Sequence, residues 1–99
     1  MQDWTPENLK SELVKDQKVF LKLWKNGCGA CKLSIPATER LEAEFKNVAF
    51  GQISIDDYPE MLEISDSEVL PAFFVFDSGK LKNKIIGFKG IAKLKEMFV

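Results

Sequence analysis

The chain has 99 residues, 45% hydrophobic and 29% charged, with a formal net charge of −1: enough for one domain with its own core, too little for two. The near-zero charge excludes the electrostatic footprint of a nucleic-acid or anionic-membrane binder, and no apolar run is long enough to span a bilayer. Histidine is absent and there are only two cysteines, so Ser-His and Cys-His nucleophile pairs, histidine zinc sites and a disulfide framework are all excluded within the chain.

Met1 to Trp4 is polar and lacks the basic and apolar stretches of a secretory leader, so the expected location is cytoplasmic. Thr5-Pro6-Glu7 reads as a helix start, with a capping hydroxyl, a proline at the first helical position and an acid at the positive helix end. Leu9 and Leu13 give this helix a thin apolar face. Val19 to Trp24 is apolar except for Lys22 and fits a strand covered on both faces. Asn26-Gly27 breaks it. A helix is predicted from about Cys28 to Lys46, with Leu33, Ala37, Leu41 and Phe45 on one side and a kink at Pro36. Val48 to Ile55 reads as a second strand, and Pro59 opens a short helix through Ile64. Pro71 to Phe76 is a third strand, joined through a tight turn at Asp77-Ser78-Gly79 to a fourth, Lys80 to Ile86. Gly87 and Gly90 end that strand, and Ile91, Leu94 and Phe98 mark a closing helix. The order α-β-α-β-α-β-β-α implies one α/β domain over residues 1–99, a mixed sheet with helices on both faces and an antiparallel hairpin at its end.

Cys28-Gly29-Ala30-Cys31 lies where a buried strand passes into a helix. Three residues apart on a helix, two Cβ atoms are about 5–6 Å apart, and a small adjustment brings them within disulfide geometry. Cys28 would sit at the helix start, where free N–H groups favour the reactive thiolate. Cys31, one turn inside, would be the buried partner that resolves a mixed disulfide. The pair alone is a weak signal; redox chemistry is the leading reading, against half of a metal site, a cluster shared between two chains, or inert thiols, and a closed four-ligand site within the chain would need ligands it does not have.

The surrounding residues resemble the thioredoxin family from about Lys18 to the C-terminus. Trp24 stands four residues before Cys28, Lys32 follows Cys31, and Pro36 matches the proline of the active-site helix. Ile55-Asp56, Leu70-Pro71, Phe76, Gly79 and Gly87 match further family positions. The resemblance implies a thioredoxin fold with a four-stranded sheet, or five strands if Met1 to Trp4 supplies the family's first. It implies Cys28 as nucleophile and Cys31 as resolving thiol, with Pro71 in the cis form and Gly29, Ala30, Leu70, Gly87 and Phe88 as a substrate-docking patch. Trp24 and Lys22 stand beside them in supporting positions. No cofactor or metal is expected in the protein itself. Reducing equivalents would come from a reductase partner, flavin-dependent by analogy, and the clients would be disulfide-containing proteins met by a monomer.

The sequence departs from the family at the site. Lys22 stands where the family has a buried aspartate, and Gln52 where that acid has a lysine partner. The expectation is that Lys22 snorkels to solvent; the alternative is that its charge acts on Cys31. Gly27 replaces a tryptophan and Ala30 a proline, which restores an N–H donor near the helix start. Three competing functions remain: a glutaredoxin-like protein coupled to glutathione, a binding module with idle cysteines, and a dimer bridging an iron–sulfur cluster.

Overall fold

The computed structural model describes all residues, 1–99. A two-residue strand β1 (Gln2–Asp3) precedes α1 (Pro6–Leu13), β2 (Lys18–Trp24), α2 (Gly29–Leu33), α3 (Ile35–Glu44) and β3 (Val48–Ser54). A 3-10 turn (Pro59–Ile64), β4 (Ala72–Asp77), β5 (Lys80–Ile86) and α4 (Ile91–Glu96) complete the chain. The sheet order is β1-β3-β2-β4-β5. β1, β3 and β2 run parallel, β4 runs antiparallel to β2, and β5 antiparallel to β4.

The sheet therefore has five strands, the arrangement in which the Met1 to Trp4 segment supplies the first. Two residues carry no readable periodicity, and β1 is held in place by its neighbour Trp4. The Trp4 N–H donates to the Gln52 carbonyl at 2.7 Å, and the Trp4 indole is buried directly over Gly51, where no side chain intervenes.

β2 is the central strand, and its alternation divides the core. Val19, Leu21 and Leu23 enter a cluster with Trp4, Leu9, Ile53, Met61, Ala72 and Phe74, under α1 and the 3-10 turn. Phe20 enters the opposite cluster with Leu41, Phe50, Phe73, Val75, Leu94 and Met97, under α3 and α4. By the same period-2 rule Lys22 points to this second face. The β4–β5 hairpin closes through Ser78-Gly79, both at positive φ (50° and 83°), the geometry whose twist matches the flanking strands.

The helix expected from Cys28 to Lys46 is two helices meeting at Ser34. The interruption falls before Pro36 rather than at it. Proline has no N–H for the carbonyl four residues back, at Lys32, and its ring crowds that carbonyl, so the ladder fails one turn upstream. The bonding resumes with the Thr38 N–H on the Ser34 carbonyl at 3.0 Å. One consequence is that Leu33 leaves the predicted apolar stripe and stands 72% exposed, whereas Leu41 is fully buried.

Candidate functional site

β2 delivers the chain to the site, and two bonds hold the turn at its end. The Ile55 N–H donates to the Trp24 carbonyl at 2.9 Å, and the Asn26 N–H donates to Asp56 Oδ2 at 2.8 Å. Cys28 then adopts an extended backbone and caps α2, its sulfur accepting the Cys31 N–H at 3.1 Å. Cys28 and Cys31 are joined in a disulfide with Cα atoms 5.2 Å apart, inside the normal range for such bonds. The two sulfurs differ in access: Cys28 is half-buried, Cys31 only 3% exposed. An external thiolate or disulfide reaches the first and not the second.

The Leu70-Pro71 bond is cis. It places the Leu70 carbonyl oxygen 3.8 Å from Cys28 Sγ, while the Pro71 carbonyl accepts the Gly87 N–H at 2.7 Å. Gly87 holds φ 85°, a conformation strained for any residue with a Cβ. Cys28, Leu70, Pro71 and Gly87 thus meet on one side of the molecule, with Gly29 and Ala30 next to Cys28 in α2. Phe88 differs from the others in being partly buried against the second core cluster. Val69, 55% exposed beside Gly87, extends the apolar surface; its exposure depends on the β4 approach and leaves no signal in the sequence. The donor that reaches the Cys28 sulfur is the Cys31 N–H, not that of Ala30, for which the sequence argued.

On the other side lies a cleft of about 260 Å³ lined by Lys22, Trp24, Lys25, Lys32, Gln52 and Cys31 among others. Lys22 does not snorkel. It is 2% exposed, and its Nζ donates to the Cys31 carbonyl at 3.1 Å. The ammonium is turned towards α2, onto the Cys31 carbonyl, rather than out through the mouth of the cleft that Lys22 lines. Burial pulls its pKa below the ordinary value of 10.5, because the charged form loses hydration. The same carbonyl accepts a second bond, from the Ser34 hydroxyl at 2.8 Å. Ser34 is fully buried and is a site residue the sequence does not reveal, since a lone serine within a helical pattern gives no functional signal. No cluster of three or more His, Cys, Asp or Glu side chains is placed to hold a metal ion.

The thioredoxin family model matches residues 1–98. The chain belongs to the thioredoxin family. Thioredoxin of Chlamydia caviae is 34% identical over 83 residues, covering 84% of this chain and 80% of that one. The bifunctional thioredoxin reductase/thioredoxin of Mycobacterium leprae is 29% identical over 83 residues, 83% of this chain and 18% of the relative. Oxidised mitochondrial thioredoxin 3 of Saccharomyces cerevisiae superimposes with a TM-score of 0.87 over 99% of this chain and 93% of its own, at 22% identity. Membership, with a bonded cysteine pair at the family's motif, makes the protein a thiol-disulfide oxidoreductase. The fold neighbours agree with the five-stranded arrangement.

Proposed function

We propose that the protein reduces disulfides in other proteins, with Cys28 as the attacking thiolate and Cys31 as the resolving thiol. The observation that carries the assignment is the unequal access of the two sulfurs: Cys28 half-open at the start of α2, Cys31 buried one turn inside. Cys28 attacks one sulfur of the client disulfide, forming a mixed disulfide and releasing the other client sulfur as a thiolate. Cys31 then attacks Cys28 Sγ, closing the Cys28–Cys31 bond and releasing the second client sulfur. Two electrons pass to the client, which takes up two protons. Leu70, beside the cis-Pro71, presents its carbonyl to an extended client segment as an edge strand would, and Gly29, Ala30, Gly87 and Phe88 complete the docking patch.

The oxidised pair must be reduced again, and the mycobacterial relative, which joins a reductase and a thioredoxin in one chain, supports a dedicated reductase as the donor. A monomer in a thiol-reducing compartment such as the cytoplasm suits this cycle. The test is trapping with insulin. The Cys31→Ser variant is expected to accumulate a covalent adduct through Cys28 that dithiothreitol releases, and the Cys28→Ser variant to form none. A double Cys→Ser variant that still reduced insulin, or equal trapping through either cysteine, would overturn the assignment.

A further inference from the structure

Lys22 is a buried cation without a counter-ion. None of the five ion pairs of the chain includes it, and of its three N–H donors only one is engaged, by the Cys31 carbonyl. Its cross-strand neighbours on β3 and β4 are Gln52 and Phe73, neither of them charged. The acids near the ends of the cleft are committed elsewhere, Asp3 to Gln52 Nε2 at 2.8 Å and Asp56 to the Asn26 N–H at 2.8 Å. A second donor is unmatched: Trp24 Nε1 is buried with no hydrogen-bond partner, and Trp24 lines the same cleft as Lys22. Lys25 and Lys32 stand at the rim, and none of the nine lining residues is an acid.

A cavity lined by a buried lysine and an unpartnered indole N–H, with no negatively charged group of its own to match them, is complementary to an anion. The buried charge is single, so a single negative charge compensates it, whereas a dianion would carry an unbalanced charge into a site of low dielectric. The volume, about 260 Å³, falls just below the range of drug-sized pockets, which suits an acid of a few heavy atoms.

We propose that this cleft is a binding site for a small monocarboxylate, held by the Lys22 ammonium and the Trp24 indole N–H. Neither Leu70 nor Pro71 lines the cleft, so its occupant is distinct from the client held at the cis-proline loop. The proposal stands whether or not the cysteine pair acts as a reductant.

The test is titration of the oxidised protein with sodium acetate, against sodium chloride at matched ionic strength, monitored by ¹H–¹⁵N spectra. The Trp24 indole signal, assigned by its loss in Trp24→Phe, is expected to move along a saturable curve with acetate alone. The Trp4 indole, on the other face of the sheet and bonded to Gln2, should stay still. Lys22→Met should weaken acetate binding at least tenfold. Lys32→Glu, a change at an exposed position, should weaken it as well by bringing a carboxylate to the rim, and it serves the test if Lys22→Met fails to fold. Equal responses to acetate and chloride, or wild-type acetate affinity in both variants, would overturn the site. Sulfate binding as tightly as acetate would overturn the choice of a monoanion.

Discussion

A lysine in the centre of a sheet is the residue least expected from the pattern around it. Val19 to Trp24 reads as a buried strand, and Lys22 obeys its period by pointing into the second layer beside Phe20. The pattern leaves open whether an ammonium there finds water. That depends on α2, which crosses above it and offers the Cys31 carbonyl at 3.1 Å as its acceptor. The penalty of holding this charge away from water should be removable. Lys22→Met keeps the stem's volume, and the Cys31 carbonyl retains the Ser34 hydroxyl at 2.8 Å, so no polar group is orphaned. We expect Lys22→Met to be more stable than the parent by about 1–2 kcal/mol at pH 7. The pH dependence has a definite sign. The folded pKa lies below 10.5, so between the two values the unfolded chain binds the extra proton and the parent gains stability as pH rises. The advantage of Lys22→Met is therefore full below the folded pKa and shrinks as pH climbs towards 10.5. Urea unfolding of both proteins at about pH 7 and about pH 10 measures it, and an advantage that grew with pH would contradict the burial argument.

The elements divide by how much their identity depends on distant partners. β2 and β4 are legible because apolar runs rich in Val, Phe and Leu, interrupted in β2 by Lys22, suit a strand covered on both faces, and the β4–β5 hairpin because Ser-Gly is compatible with two positive φ values. The cysteine pair and the cis-Pro71 loop are legible through family motifs rather than through periodicity. The α2–α3 break is misplaced by a residue-level reading because a kink is naturally assigned to Pro36 itself, whereas the bond the proline cannot make belongs to the preceding turn. β1 is hidden by its length. Its attachment rests on Trp4 lying against a glycine: a Cβ built on Gly51 falls inside the Trp4 indole. Gly51→Ala must therefore displace the ring or shift β3, at a cost of about 1–3 kcal/mol for overpacking. We expect a lower urea midpoint together with red-shifted tryptophan emission as Trp4 becomes hydrated. An unchanged midpoint would show that β1 and Trp4 contribute nothing to holding the edge of the sheet.

At the scale of the whole molecule, the two apolar clusters enclosing the sheet carry the fold, and the disulfide is an addition to them. Cys28–Cys31 closes a loop of only four residues, so its effect on the entropy of the unfolded chain is near the low end for such bonds, about 2 kcal/mol. The reduced protein should accordingly remain folded. It should be less stable than the oxidised form by no more than that amount, reduced further by whatever the folded dithiol gains at the start of α2. The two stabilities are linked to the chemistry, because oxidising the pair in the folded or the unfolded chain closes a thermodynamic cycle. Every 1.4 kcal/mol by which folding favours the disulfide lowers the folded pair's potential by about 30 mV relative to the unfolded pair. A reductant needs that balance to favour the disulfide. Urea unfolding of the oxidised protein and of the protein held in dithiothreitol measures it directly. An oxidised form more stable by about 1–2 kcal/mol fits a pair that gives electrons to its clients. A reduced form that is the more stable of the two would make the pair an oxidant and reverse the proposed direction of exchange, while leaving the roles of Cys28 and Cys31 as they are.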